Sequence, residues 1–184
     1  MSHPPRILQT RILARTRLFE IEQVDLQFAN GTAVQYERLR GSPRGAVLIV
    51  PVLNENTILL IREYAAGVDR YELGLPKGRI EVGEDILDAA NREMQEEVGY
   101  AAHSLVHLTT LTLAPGYSNQ QTHIVIARNL YESSTAGDEP EPLQVIPVRI
   151  VDLPATLAHH ELTEARSIAA LLLAQQHLLS HHEI

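Results

Sequence analysis

Residues 6–39 alternate between apolar and polar side chains. Residues 17–28 (RLFEIEQVDLQF) follow the two-residue period of a half-buried strand, and residues 32–39 (TAVQYERL) continue with a similar pattern. Asn30 and Gly31 lie between these segments, and this pair favours the positive φ angles of a tight hairpin turn. The pattern therefore predicts an antiparallel β-meander at the N-terminus.

Apolar runs of strand length follow the meander. Residues 46–53 and 57–64 are almost continuously apolar, as in buried strands, and a polar turn separates them. Strand-like segments recur at 105–113, 122–128 and 143–150, the last with Pro147 as a sign of a sheet edge or a strand end. The intervening segments 67–78, rich in glycine, and 133–142, polar and acidic, are predicted to be loops.

Two segments have the pattern of amphipathic helices. The first runs from about Glu84 to Val98 and is closed by Gly99, a favourable residue for a helix C-terminus. The second spans roughly residues 164–180, with Thr163 as the expected N-cap. Together with the strands, these helices predict a mixed α/β domain that has strands on both sides of one central helix.

Length and composition limit the classes of function. A chain of 184 residues suggests one domain, possibly with a small appendage, and a net charge of −8 argues against a general nucleic-acid binder. The chain has no cysteine, which excludes disulfides and thiolate zinc sites and favours a reducing cytoplasm. It also has no apolar stretch long enough to span a membrane. We expect a soluble cytoplasmic protein whose partner is a small molecule.

The central helix carries a dense group of charges, Arg92, Glu93, Glu96 and Glu97. On a helical wheel Arg92 and Glu96 fall opposite the apolar stripe, as solvated residues should, whereas Glu93 and Glu97 fall beside or inside it. Two carboxylates one turn apart on a semi-buried edge are costly unless something compensates their charge. A divalent cation with oxygen ligands would do so, and so would an arginine or lysine from elsewhere in the fold. Helical geometry alone does not choose between them.

The spacing around this helix resembles the signature of the Nudix hydrolases, Gx5Ex7REUxEExGU. Gly78, Glu84, and the run Arg92 to Gly99 match every fixed position, and Tyr100 stands where a large aliphatic residue is usual. The resemblance implies the Nudix fold, a mixed β-sheet in an α/β/α sandwich, here preceded by the N-terminal antiparallel β-meander. It also implies metal-dependent hydrolysis of a nucleoside diphosphate linked to another moiety.

Segments outside the signature narrow the resemblance. Residues 60–67, 71–78 and 137–143 are similar to the ADP-ribose pyrophosphatase branch, and residues 17–31 look like the bacterial ADP-compounds hydrolases. This likeness implies Mg²⁺- or Mn²⁺-dependent hydrolysis of ADP-ribose, diadenosine polyphosphates and NADH, with release of AMP. Two alternatives stay open: a strict ADP-ribose pyrophosphatase, and a Nudix-like domain that senses nucleotides without hydrolysing them.

The resemblance also assigns roles to residues. It implies Glu93 and Glu97 as the principal metal ligands, supported by Glu96 and by Glu141 of the acidic loop. Glu139 is the expected general base, in an order with Glu141 that the pattern does not fix, while Arg92 and Glu84 orient the carboxylates. The candidate substrate-binding residues are Arg62, Phe19, Arg38 and Tyr71.

The resemblance to this branch also implies how the chain is divided into domains and that two chains associate. Residues 1–44 are expected to form the N-terminal β-meander and a dimerisation segment, and residues 45–184 the Nudix hydrolase domain. A homodimer through the N-terminal strands is therefore expected. No nucleic-acid or membrane partner is expected.

Overall fold

The structure, a computed structural model, describes residues 3–180. Its strands are β1 Arg6–Arg15, β2 Glu20–Gln27, β3 Ala33–Leu39, β4 Ala46–Asn54, β5 Thr57–Ala65, β6 Arg70–Gly74, β7 Lys77–Arg79, β8 Tyr100–Thr112, β9 Gln121–Glu132 and β10 Gln144–Arg149. Its helices are α1 Ile86–Glu97, α2 Leu153–Leu157 and α3 Ala165–Ser180, and a 3₁₀ turn at Ile150–Asp152 precedes α2. Within the described range the chain forms two compact units, residues 3–45 with 112–121, and residues 46–111 with 122–180.

The N-terminal unit is a three-stranded antiparallel sheet in the order β1-β2-β3. The predicted turn joins β2 to β3, where Gly31 adopts a φ of 85° and Phe28 N–H donates to the carbonyl of Thr32 at 2.9 Å. The segment 112–121 attaches to this sheet, since Leu39 N–H donates to the carbonyl of Tyr117 at 2.8 Å. The predicted β-meander is confirmed.

The second compact unit, residues 46–111 with 122–180, is built on a mixed sheet of order β10-β5-β4-β9-β8, with β6 added to β5 and β7 added to β4. Strands β4 and β9 are parallel, from Ala46 opposite Thr122 to Pro51 opposite Ala127. One face of the sheet is covered by the apolar side of α1, and the opposite face by that of α3. The arrangement is the predicted α/β/α sandwich.

Several boundaries differ from the sequence prediction. Strands β8 and β9 are longer than expected, and β6 and β7 lie in the segment predicted as a glycine-rich loop. These two strands are only five and three residues long, and their pairing to β5 and β4 is set by tertiary contacts that no local pattern shows. Pro147 lies on β10, which ends the sheet, so the expected edge position is confirmed.

The start of α3 corrects a predicted cap. Thr163 does not cap this helix with its side chain; its hydroxyl donates to Glu72 at 2.8 Å instead. The cap is Glu164, whose carboxylate accepts the N–H of Ser167 at 2.7 Å. The reason is tertiary, because the Glu72 carboxylate on β6 is buried and takes both the hydroxyl and the backbone N–H of Thr163.

Candidate active site

Helix α1 holds the two inward carboxylates. Asp85 caps its first turn by accepting the N–H of Leu87 at 2.9 Å, and Met94 packs fully buried against the sheet. This orientation leaves Glu93 and Glu97 only 8% exposed each. The position that the helical wheel predicts for these two side chains is therefore observed.

Arg92 gathers the neighbouring acidic side chains. Its Nε donates to Glu84 Oε1 at 2.9 Å, and its Nη1 donates to Glu93 Oε1 at 2.8 Å and Glu96 Oε2 at 3.1 Å. The guanidinium lowers the pKa of the Glu84 carboxyl, and the carboxylates of Glu84 and Glu93 raise the pKa of Arg92. Arg92 and Glu96 were expected to face solvent, but both are half-buried, because the long arginine side chain folds back along the helix.

Glu93 lies directly over the backbone of Gly78 in β7. A Cβ atom added to Gly78 would lie 2.0 Å from both Cδ and Oε1 of Glu93. Because any side chain at residue 78 would displace this carboxylate, the glycine of the signature is required for close approach rather than for an unusual φ angle. The space above Gly78 thus fixes where the Glu93 carboxylate lies.

We expect Gly78→Ala to shift the Glu93 carboxylate while the fold stays intact. The metal concentration needed for half-maximal activity should rise about 10- to 100-fold, as is typical when the support of a metal ligand is disturbed. Activity titrated with Mg²⁺, alongside circular dichroism of both proteins, measures this effect. An unchanged metal requirement would show that contact with Gly78 does not position Glu93.

Glu97 is the most strongly perturbed carboxyl of the site. Its Oε2 accepts the backbone N–H of Lys77 at 2.9 Å. Burial raises the pKa of Glu97 to about 8, against the opposing effect of the positive charge of Lys77. The Lys77 Nζ is paired with Glu63 at 2.8 Å, so part of its charge is already balanced.

The donor set fits a divalent cation. Burial also raises the pKa of Glu93, partly offset by Arg92, so two carboxyls one turn apart both resist ionisation without added positive charge. Their oxygen atoms are the hard ligands that Mg²⁺ and Mn²⁺ prefer. Among residues 3–180 no group of three His, Cys, Asp or Glu side chains is already gathered for a metal. Arg92 holds one oxygen each of Glu93 and Glu96, and a bound cation would compete for them.

The acidic loop 133–142 is fastened to the C-terminal end of α1. Ser133 donates through its N–H to Gly99 O at 3.0 Å and through its hydroxyl to Gln95 Oε1 at 2.9 Å, and Thr135 N–H donates to Gln95 O at 3.2 Å. A Cβ added to Gly137 would lie 3.4 Å from Glu96 Cβ. The loop therefore lies along the helix that carries the signature carboxylates.

The end of the loop brings further carboxylates toward the site. Desolvation raises the pKa of the surface residue Glu139, and so do the negative charges of Glu63 and Asp138. Asp138 also raises the pKa of Glu93. Sequence reasoning missed Asp138 and Glu63. Glu63 was detectable, since it follows Arg62 on a strand and so points to the opposite face of the sheet.

The other candidate site residues of the second compact unit, Tyr71, Glu141 and Arg62, form hydrogen bonds with other side chains. Tyr71 Oη donates to Glu141 Oε1 at 2.6 Å, so a candidate substrate-binding residue contacts the expected auxiliary metal ligand. Arg62 donates to Glu161 Oε2 at 2.6 Å and to Gln144 Oε1 at 3.2 Å. The structure thus pairs Arg62 with residues of β10 and the α2–α3 connection rather than with the signature carboxylates.

Two candidates lie in the N-terminal unit. Phe19 is 54% exposed and lies just before β2. Arg38, on β3, donates through Nε to the buried Glu22 at 2.8 Å. Phe19 offers an aromatic surface to solvent, and Arg38 is held in place by its ion pair.

Comparison with known proteins matches both parts of the chain. A model of the NUDIX domain matches residues 42–173, and a model of the NudE-type Nudix hydrolase N-terminal domain matches residues 5–38. The chain belongs to the Nudix hydrolase family. Members of this family generally need a divalent metal ion.

Individual proteins of similar sequence and structure also belong to this family. The chain is 45% identical over 174 residues to the ADP compounds hydrolase NudE of Escherichia coli (strain K12), covering 95% of this chain and 93% of that one. It is 27% identical to the ADP-ribose pyrophosphatase of Bacillus subtilis (strain 168), covering 89% and 91%. A crystal structure of ADP compounds hydrolase superposes with a TM-score of 0.92 at 42% identity, over 100% of this chain and 99% of that one. The predicted Nudix fold and the prediction of a Nudix pyrophosphohydrolase are confirmed.

No helix within residues 3–180 is long and apolar enough to cross a membrane.

Proposed function

We propose that this Nudix hydrolase cleaves the pyrophosphate bond of ADP-linked compounds and releases AMP. The candidate substrates are ADP-ribose, diadenosine polyphosphates and NADH, and the candidate cations are Mg²⁺ and Mn²⁺. The observation that carries the proposal is the buried pair Glu93 and Glu97 within an intact signature, set against the backbone of Gly78 and Lys77. The relatives named for ADP compounds and for ADP-ribose support the substrate class.

The signature carboxylates hold the cation in this proposal. Glu93 and Glu97 are the principal ligands, and Glu96 is a further ligand that becomes available when Arg92 releases it. When bound there, a divalent cation would supply positive charge to the pyrophosphate and would lower the pKa of a bound water molecule. Arg92 stays bonded to Glu84 and to the carbonyl of Arg79 at 2.9 Å, so it keeps the ligands oriented.

The acidic loop supplies the proton acceptor. We assign this role to Glu139, because desolvation, together with the negative charges of Glu63 and Asp138, raises its pKa and so increases its basicity. Glu141 is the auxiliary metal ligand. Its carboxylate accepts a hydrogen bond from the hydroxyl of Tyr71 in the metal-free protein. Since the loop is fastened to α1 through Ser133 and Thr135, the same helix positions both the acceptor and the ligands.

The substrate-binding roles are proposals of the same kind. Arg62 binds a phosphate by exchanging the Glu161 carboxylate for it, since both are anionic acceptors for a guanidinium. Phe19 and Tyr71 offer exposed aromatic rings to a base. Arg38 contacts the terminal ribose or the adenine through the guanidinium N–H groups that do not bind Glu22.

We further propose a homodimer in the cytoplasm, with residues 1–44 as the dimerisation segment. Strand β1 is exposed along its whole length and carries apolar side chains at Ile7, Leu8, Ile12 and Leu13, each at least 41% exposed. A small sheet of this kind gains stability by packing on another surface. The absence of cysteine suits a reducing compartment.

The assembly is testable by size-exclusion chromatography with light scattering. We expect twice the chain mass of 20.5 kDa, and a shift toward monomer when Ile7 and Ile12 are both replaced by serine. Replacing the exposed Val151 by serine is the control and should leave the mass unchanged. A wild-type mass equal to one chain would refute the dimer.

The activity is testable with a panel of ADP-ribose, diadenosine polyphosphates and NADH, each with Mg²⁺ or Mn²⁺, and with the products identified. AMP from several members supports the proposal, and AMP from ADP-ribose alone favours a strict ADP-ribose pyrophosphatase. Binding without any AMP would favour a nucleotide sensor, the alternative of a different class.

A further inference from the structure

Two histidines face each other on neighbouring strands at one edge of the mixed sheet. His107 lies on β8, the edge strand, and His123 lies on the adjacent strand β9. Their ring centres are 5.3 Å apart, and the ring planes are inclined by 57°. Both residues belong to the second compact unit, and none of the roles proposed above uses either of them.

The hydroxyl of Thr110 lies between the two rings. Its Oγ1 is 3.2 Å from His107 Nε2 and 2.9 Å from His123 Nδ1. One nitrogen of each ring is therefore directed toward the same point. Because a neutral imidazole can carry its proton on either nitrogen, both of these nitrogens can present a lone pair to a cation bound between the rings.

An irregularity in β8 accounts for the position of Thr110. Leu108 and Leu111 both pack against the core cluster that includes the buried residues of α3, although residues three apart on a regular strand point to opposite faces. The alternation of side chains therefore shifts between these two leucines, as it does at a β-bulge. The shift brings Thr110 to the same side of the sheet as His107.

His123 is anchored in the well-packed part of the sheet. It lies opposite Val47 in the parallel pairing of β9 with β4, and its chain neighbours Thr122 and Ile124 are buried. His123 itself is half-buried, whereas His107 is exposed. The pair thus combines one ring fixed by the sheet with one ring that ions in solution can reach.

The spacing of the rings fits a tetrahedral cation. Zn²⁺ binds imidazole nitrogens at about 2.0–2.1 Å and favours tetrahedral coordination, which places the centres of two bound imidazole rings about 5 Å apart. The observed separation is 5.3 Å. Imidazole nitrogens suit Zn²⁺, whereas Mg²⁺ prefers oxygen ligands such as carboxylates. The histidine pair therefore selects a different ion from the carboxylates of α1.

We infer that His107 and His123 form a Zn²⁺-binding site that joins β8 to β9. Within residues 3–180 no third His, Cys, Asp or Glu side chain is gathered with this pair, so water molecules would complete the coordination. An ion shared by the two rings links the edge strand to the interior of the sheet, and its binding stabilises the folded protein. The inference goes beyond the proposed hydrolysis and does not depend on it.

The test is a titration with Zn²⁺ in which the nuclear magnetic resonance signals of each histidine ring are followed. The variants His107→Gln, His123→Gln and His103→Gln assign the three signals that matter. In the wild type we expect the signals of His107 and His123 to change together, with one saturable dissociation constant. Because each ring reports its own surroundings, Zn²⁺ bound by the carboxylates of α1 does not enter the comparison.

A cation held by two rings makes their responses depend on each other. We expect His107→Gln to weaken the affinity that the His123 ring reports about tenfold or more, and His123→Gln to do the same for His107, since even the loss of a group that only supports a ligand has an effect of this size. His103→Gln is the matched control, because His103 is also exposed on β8 but stacks on Tyr131. It should leave both responses unchanged.

Interdependent responses of the two rings support the site, whether or not the protein hydrolyses any ADP-linked compound. If the His123 ring reported the same Zn²⁺ affinity in His107→Gln as in the wild type, the inference would be overturned, because each ring would then bind the ion as an isolated histidine. The absence of any response of the two rings to millimolar Zn²⁺ would overturn it as well.

Discussion

Replacing Glu97 by glutamine should abolish most of the activity and at the same time stabilise the metal-free protein. Turnover of ADP-ribose should fall roughly a thousandfold or more, because Glu97 is proposed as a direct metal ligand, and the loss of such a ligand exceeds the 10- to 100-fold cost of losing a supporting group. A glutamine keeps the shape and can still accept the N–H of Lys77. It lacks the charge that a cation requires.

The gain in stability follows from the pKa of Glu97. Its ordinary value is 4.5, and burial raises it to about 8 in the folded protein. Between these values the unfolded chain has released the proton and the folded chain has kept it, so the free energy of unfolding falls as the pH rises through this window. At pH 7 the raised pKa lowers the free energy of unfolding by about 2–4 kcal/mol. Replacing the carboxyl by an amide should therefore raise the melting temperature by about 5–10 °C.

Thermal unfolding of both proteins in a chelator, from pH 5 to pH 8.5, measures the effect. We expect the gain from Glu97→Gln to be small at pH 5 and to grow toward pH 8. Asp88→Asn is the matched control, since it removes an exposed carboxylate from the same helix. If Glu97→Gln were less stable than the wild type at pH 8, the result would contradict a raised pKa of the buried Glu97 carboxyl.

Replacing Glu139 by glutamine should lower kcat about 10²- to 10⁴-fold, the range expected for a general base, with metal affinity little changed. The amide cannot accept a proton, but the proposed metal ligands on α1 and the attachment of the loop through Ser133 remain. Turnover under saturating metal and an independent Mn²⁺ titration separate the two quantities.

Glu141→Gln is the informative partner variant. As an auxiliary ligand, Glu141 should influence the metal requirement more than kcat at saturating metal. Near wild-type turnover of Glu139→Gln would exclude Glu139 as the base. If Glu141→Gln were then inactive at saturating metal, the base would be Glu141.

Local periodicity was sufficient for the parts of the site carried by one helix. The helical wheel separates Glu93 and Glu97 from the outer face of α1, and the structure shows both buried. The helical wheel did not predict the burial of Arg92. A wheel gives only the position of the Cα atom, whereas the long arginine side chain folds back to contact Glu84 and Glu93. Backbone position was predictable, and the direction of the guanidinium was not.

Parts of the site that join distant segments were not predictable in this way. The contact of Tyr71 with Glu141 spans 70 residues, and the bond of Arg62 to Glu161 spans 99. No periodic pattern encodes such pairs, because they depend on which strands become neighbours in the sheet.

The central claim is that the inward carboxylates of α1 bind the divalent cation. Electron paramagnetic resonance of Mn²⁺ titrated into the wild type and into Glu93→Gln/Glu97→Gln tests it directly, with Asp88→Asn as the control. We predict saturable binding in the wild type and the control, and a loss of about a hundredfold or more in affinity in the double variant. Equal Mn²⁺ affinity in all three proteins would contradict the claim.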